Sequence, residues 1–271
     1  MTGKNPVQTR WISSRRYVVA AGELIMTNFQ KKLQVEDKDD GSPVTSVDRS
    51  AEALIRKRIL DDYPDDSISG EELEPHQGNS GYRWIIDPID GTRAFTAGRS
   101  QFGTLIALLH EERIVFGVIH NPATREQFTA GKNLGCIKSA PWLASDQEMK
   151  TSNTNQLKDA VLATTSPDLF DDTERTVFDH LRKKVKNTIY GGDCLNYGLL
   201  GLGTVDIVME SSLKLHDYAA LIPIVEESGG VLSDWNGKSV ELRGQTQILA
   251  AANPQLHREV MQLIRSLHRS A

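Results

Sequence analysis

The chain has 271 residues, of which 39% are hydrophobic and 25% charged, the balance of a folded globular protein of one large or two smaller domains rather than a disordered one. A net charge of −5 and a pI near 5.8 leave no basic footprint for nucleic acid, and no apolar run approaches the roughly 20 residues of a membrane span. Cys136 and Cys194 stand far apart in no metal-ligand spacing, so they are expected to be reduced structural thiols of a cytoplasmic protein.

The N-terminal run from Arg10 to Arg16, followed by Tyr17-Val18-Val19-Ala20-Ala21, has the outline of a leader. Glu23 interrupts its apolar core, and Ile12, Val19, Leu24 and Ile25 share a helical face, so a first helix is expected. A second helix is predicted over about 46–61, with Ala51, Leu54, Ile55 and Ile59 in one stripe and Tyr63-Pro64-Asp65-Asp66 as its stop. Strands are predicted at 67–70, 83–87, 102–110, 114–121 and 126–130, with a hairpin at Glu111-Glu112-Arg113 that points to an antiparallel sheet.

After about residue 150 the pattern alternates. A strand at 160–165 leads to a helix at 173–185, a strand at 187–190, a helix at 194–202 and a strand at 205–209. A helix over 217–227 is closed by Gly229-Gly230, a strand follows at 248–252, and Asn253-Pro254 opens the last helix. The chain thus reads as an N-terminal α+β half with an antiparallel sheet, 1–145, and a C-terminal α/β half, 146–271, with no internal repeat.

Asp48, Glu71, Glu72, Asp87, Asp90 and Asp217 all lie at the ends of predicted elements. Singly, Asp48 or Asp217 reads as a helix cap, Glu71-Glu72 as a solvated pair and the Asp-Pro-Ile-Asp run as a turn. Together they suit a hard cation with oxygen ligands, Mg²⁺ above all, with the Ile89 carbonyl as a further ligand and Pro88 stiffening the turn. Gly91-Thr92 opens a short helix over 93–97, whose N-terminus suits phosphate. The Thr92 hydroxyl would orient a water and Asp48 would accept its proton, the arrangement of metal-assisted phosphoryl transfer.

The set Pro43-Val44-Thr45-Ser46-Val47-Asp48, Gly70-Glu71-Glu72, Asp87-Pro88-Ile89-Asp90-Gly91-Thr92 and Asp217-x-Ala219-Ala220, with Gly229-Gly230 beyond, resembles the inositol monophosphatase superfamily of metal-dependent phosphatases over about residues 43–237. The resemblance implies a layered αβαβα sandwich with the site between its halves, and a homodimer. It implies two or three Mg²⁺ ions on Glu71, Asp87, the Ile89 carbonyl, Asp90 and Asp217, with Glu72 in support. Asp48 and Thr92 match the pair that activates the attacking water, and Gly91 and Thr92 would offer their backbone N–H groups to the phosphate. Lys38, in the Glu36-Asp37-Lys38-Asp39-Asp40-Gly41 stretch, matches a mobile loop that helps relatives hold a further metal.

Arg93-Ala94-Phe95, and His216 where the family usually has tryptophan, depart from the inositol phosphatases. With Gly191-Gly192-Asp193-Cys194-Leu195-Asn196-Tyr197-Gly198 and Leu213-Lys214-Leu215-His216-Asp217-Tyr218, they look most like the family's histidinol-phosphate phosphatases, which hydrolyse L-histidinol phosphate in histidine biosynthesis. Glu210, seven residues before Asp217, stands at the family's substrate-binding position, where it would pair with a cation or accept bonds from sugar hydroxyls. Asp193 is a second candidate for a cationic end, or a helix cap; Arg93 would steer the anion or pair with an outer acid. Inositol 1-phosphate, or another sugar or nucleotide phosphate, is therefore the alternative substrate. A non-catalytic scaffold should have lost a ligand or the water-activating pair, and every matched position is filled. His216 is read as a packed neighbour of Asp217 rather than a base.

Overall fold

The computed structural model describes residues 5–38, 43–244 and 246–268, so residues 39–42 of the Lys38 stretch lie outside the described residues. Asn5 accepts the Val7 N–H and caps α1 (Pro6–Met26), whose first residue is a proline that needs no partner for an N–H it lacks. A two-stranded ladder, β1 (Val35–Asp37) with β2 (Pro43–Thr45), leads into α2 (Ser46–Asp62), capped by Thr45. Then come β3 (Ser67–Gly70), β4 (Tyr82–Asp90), the five-residue α3 (Thr92–Thr96), β5 (Gly103–His110), β6 (Arg113–Asn121), β7 (Glu126–Gly131), β8 (Gly135–Ser139) and β9 (Gln147–Glu148).

The second part of the chain alternates as expected. It comprises β10 (Val161–Thr164), α4 (Asp172–Arg182), β11 (Asn187–Tyr190), α5 (Leu195–Gly201), β12 (Ile207–Leu213), α6 (Leu215–Tyr218), α7 (Leu221–Glu227), β13 (Val231–Ser233), β14 (Thr246–Ala251) and α8 (Pro254–His268).

Strands β3 to β9 form a seven-stranded sheet in sequence order, antiparallel except for the parallel β3–β4 pair. Glu111 and Glu112 turn β5 into β6 with positive φ at both, the conformation that suits a two-residue hairpin. The other sheet is mixed, in the order β11-β10-β12-β14-β13.

Strand periodicity sorts the core into layers. Trp84, Ile86, Ile106 and Leu108 pack against Tyr17 and Val18 of α1 and Ile55 of α2. Ile85, Leu105 and Ala107 point the other way, into a core shared with Tyr197 of α5, Ile224 of α7, and Ala163 and Val208 of the second sheet. The far face of that sheet, Leu162 and Met209, carries Phe178 of α4 and Val260 of α8. Helices, sheet, helices, sheet, helices: this is the expected αβαβα sandwich.

The short strands β1, β2, β8, β9 and β13 were not anticipated, and two elements that bear on the site differ in extent from expectation. The strand predicted to end at Asp87 continues to Asp90, because it absorbs Pro88 in a bulge rather than stopping there. The helix predicted over 217–227 is broken at Ala219-Ala220. Pro223 has no N–H for the Ala219 carbonyl four residues back, so α6 and α7 cannot run on as one helix.

Candidate active site

Asp87 pairs with Leu105 and Asp90 with Gly103, so β4 spends one more residue than β5 between those points. In a regular strand residues three apart face opposite sides; the extra residue turns Asp87 and Asp90 to the same side. Asp217, from the first turn of α6, meets them: carboxylate oxygens of the three lie within 4.8 Å of one another. Two of the acids are anchored from behind. Asp90 Oδ2 accepts the Cys194 N–H at 2.6 Å, and Asp217 Oδ2 accepts the Lys214 N–H at 2.6 Å.

Asp87 is 1% exposed and its Oδ1 has no hydrogen-bond partner. Burial, then the charges of Glu71, Asp90 and Asp217, push its pKa well above the usual carboxylate range. Burial, then Asp193 and Asp217, do the same to Asp90. A buried oxygen without a partner, among carboxylates crowded closely enough to raise one another's pKa, is an all-oxygen donor set suited to a cation. These residues fit a hard divalent metal.

Glu71 lines the same cleft but stands outside that trio, with Oε1 taken by Lys38 Nζ at 2.6 Å. The same ammonium meets Glu72 Oε1 at 2.6 Å. Burial raises the Glu72 pKa to about 7 against the Lys38 bond, with Glu71 adding to the rise. His216 Nε2 lies 3.4 Å from Asp217 Oδ1 and 3.7 Å from Glu71 Oε1, a packed neighbour of both.

The turn bearing the two glutamates is held from α2 by a residue that sequence reasoning missed. Glu52 is fully buried and accepts the N–H groups of Glu72 at 2.7 Å and Leu73 at 3.3 Å, with Arg56 Nε at 2.6 Å. Arg56 also donates to the carbonyls of Leu73 and Glu74, both at 2.8 Å. The signal was present: Asp48, Glu52 and Arg56 recur at the i, i+4 spacing of one helix face.

Asp48 is both cap and site neighbour. Its Oδ2 accepts the Thr45 N–H at 2.9 Å and hydroxyl at 2.5 Å, while Oδ1 lies 3.4 Å from the Thr92 hydroxyl. Burial raises its pKa, opposed by the Thr45 bonds. Thr92 donates at closer range, 2.9 Å, to the Ile89 carbonyl.

Gly91 has φ 85°, a conformation that favours glycine, and an added Cβ would lie 3.1 Å from the Asp193 carboxylate. Asp193 closes a run of positive φ, Gly191 at 80°, Gly192 at 110° and itself at 45°, which turns its side chain toward the cleft. That side chain makes no hydrogen bond among the described residues, so it does not cap α5. Burial, with Asp217, raises its pKa to about 6, while Arg93 and Arg99 oppose the rise. Glu210 on β12 is 3% exposed, and burial carries its pKa to about 8 despite its Thr165 bonds. Arg93 lines the cleft with an exposed side chain that makes no hydrogen bond or ion pair among the described residues. The cleft encloses about 610 Å³, far more than a phosphate needs, and Glu210 lies beyond it.

A model of the inositol monophosphatase family matches residues 9–269. The chain is 37% identical over 252 residues to the chloroplastic bifunctional phosphatase IMPL2 of Arabidopsis thaliana, covering 90% of this chain and 71% of that protein. It is 36% identical over 246 residues to the histidinol-phosphatase of Chlorobaculum parvum, covering 90% and 92%. A solved structure of an inositol monophosphatase from Zymomonas mobilis superposes with a TM-score of 0.85 at 36% identity, over 97% of this chain and all of that one.

Proposed function

The chain belongs to the inositol monophosphatase family of phosphatases, and from that membership we propose that it is a magnesium-dependent phosphomonoesterase hydrolysing L-histidinol phosphate to L-histidinol and phosphate. One observation carries the substrate reading: Glu210, a buried acid, and Asp193, a half-buried one, line a common recess beside Asp90 and Asp217. A substrate with an ammonium group near its phosphate ester supplies the charge they lack, whereas inositol brings only hydroxyls. The similarity to the Chlorobaculum histidinol-phosphatase supports the same reading.

Glu71, Asp87, the Ile89 carbonyl, Asp90 and Asp217 would hold two or three Mg²⁺ ions, with Glu72 supporting Glu71. Bound there, magnesium supplies charge neutralisation for the phosphoryl oxygens and acidifies the attacking water. The side chains do the rest. The Thr92 hydroxyl takes up the water's proton and passes its own to Asp48, whose buried carboxylate is a better base than one in solvent. Gly91 and Thr92 turn their N–H groups to the phosphate, and Arg93 steers the anion inward. We read the enzyme as a cytoplasmic homodimer of histidine biosynthesis, with Cys136 and Cys194 as unbridged buried thiols.

A second reading, inositol 1-phosphate, is favoured by the Zymomonas likeness and by the ability of Glu210 to accept bonds from sugar hydroxyls. Phosphate release from L-histidinol phosphate, inositol 1-phosphate, fructose 1,6-bisphosphate and adenosine 3′,5′-bisphosphate, each with magnesium and with EDTA, separates the two. A chelator-sensitive preference for histidinol phosphate is expected. Faster turnover of inositol 1-phosphate would overturn the substrate while leaving the metal chemistry in place.

A further inference from the structure

A small chamber of about 70 Å³ opens beside the main cleft and shares Asp90, Asp193 and Asp217 with it. Tyr197 of α5 and Glu210 of β12 belong to this chamber alone. Tyr197 is 1% exposed, yet its hydroxyl has no hydrogen-bond partner. Buried hydroxyls are rarely left so, since they give up water and gain nothing in return. Glu210 commits Oε1 to the Thr165 N–H at 2.8 Å and hydroxyl at 3.0 Å, and its side chain makes no other hydrogen bond among the described residues. The Asp193 side chain makes none. No lysine, arginine or histidine lines the chamber among the described residues, and Leu169 and Leu221 close its apolar side.

The chamber therefore offers acceptors and lacks a cation. An ammonium group has three N–H donors and no acceptor, so it would use the carboxylates of Glu210 and Asp193 and a lone pair of the phenol at once. A hydroxyl brings a single donor and no charge.

We propose that this chamber is a primary-ammonium subsite in which Tyr197 is a substrate-contacting specificity residue, its hydroxyl oxygen accepting one ammonium N–H beside Glu210. The inference rests on the proposed reading of the enzyme as a phosphatase of an amino-alcohol phosphate, and deepens it by naming a residue.

The test compares wild type with Tyr197→Phe, in magnesium, on two ester pairs. One is L-histidinol phosphate with its des-amino counterpart, imidazolylpropyl phosphate; the other is phosphoethanolamine with ethyl phosphate. Wild type should favour the aminated member of each pair. Tyr197→Phe should lose about tenfold in kcat/KM on the aminated esters, chiefly through KM, and little on their counterparts. Equal loss on both members, or no loss on either, overturns the subsite. If wild type prefers inositol 1-phosphate to histidinol phosphate, the histidinol reading fails, and the ethanolamine pair still decides the subsite. Phenylalanine keeps the ring and removes only the unpartnered hydroxyl, so Tm should hold or rise. A clear fall in Tm would mean that the hydroxyl has a structural partner, which also overturns the proposal.

Discussion

The Thr92 hydroxyl has one proton and two acceptors in reach, the Ile89 carbonyl at 2.9 Å and Asp48 Oδ1 at 3.4 Å. The closer bond holds the side chain in place, and the longer one leads to the group proposed to receive the proton. Thr92→Ala removes both without touching a carboxylate. Its kcat should fall by about two orders of magnitude while KM changes little, the signature of an interaction used in the transition state. Thr92→Ser should restore most of the loss. A rise in KM with kcat intact would instead assign Thr92 to binding. Thr92 and Asp48 were legible because each sits at the start of a helix after a recognisable turn. Sequence offered cap and base as alternatives for Asp48, and the distances show it closing the cap of its own helix through Thr45 while its other oxygen faces Thr92.

Between elements, the decisive contact is α2 against the turn after β3. An added Cβ at Gly70 would lie 2.0 Å from Glu52 Oε1, so Gly70→Ala forces Glu52 back and strips the N–H groups of Glu72 and Leu73 of their acceptor. Overpacking and lost buried hydrogen bonds together should cost about 2–4 kcal/mol. Tm should drop by several degrees. If the clamp positions Glu71 and Glu72, magnesium affinity measured by calorimetry should weaken as well; unchanged affinity beside a lower Tm would reduce the clamp to a structural role. This packing was hidden because Glu52 lies at a polar position between Ala51 and Leu54, which reads as solvent-facing until Arg56 and the turn are brought to it. The bulge was hidden for a related reason. Periodicity carries β4 as far as Asp87 and then meets a proline, and only the partner strand shows that pairing resumes at Asp90. Spacing alone likewise reads 217–227 as one helix, although Pro223 within it was a legible warning. The antiparallel half and the later alternation of helix and strand were open to view in the residues, whereas the layered αβαβα arrangement followed from the resemblance; the near-continuous apolar run of β5 is what a strand buried on both faces requires.

For the whole molecule, the gathered acids tie stability to pH and to metal. Burial and neighbouring charge raise the pKa values of Asp87 and Asp90 well above their ordinary values, of Asp193 to about 6 and of Glu210 to about 8. A carboxyl whose folded pKa exceeds its unfolded one keeps its proton in the fold at pH values where the unfolded chain has already lost it. The folded state then binds more protons than the unfolded state, so stability falls as pH rises through that window. The window opens near the ordinary carboxylate pKa of about 4 and extends to about 8, set by Glu210. Metal-stripped protein should therefore lose Tm from about pH 5 to about pH 8, contrary to the usual behaviour of salt-bridged carboxylates. Magnesium binds the ionised cluster and should oppose that loss. At about a hundred times its Kd it adds about 2.7 kcal/mol, several degrees in Tm. Because protons compete for the same oxygens, the gain should be larger at about pH 8 than at about pH 5. Thermal melts across that range, with EDTA and with magnesium, measure both slopes. A metal-stripped Tm that climbs steadily with pH, or a magnesium shift that shrinks as pH rises, would mean that the acids are neutralised by protein partners, and the assignment of Asp87, Asp90 and Asp217 to the metal would fail.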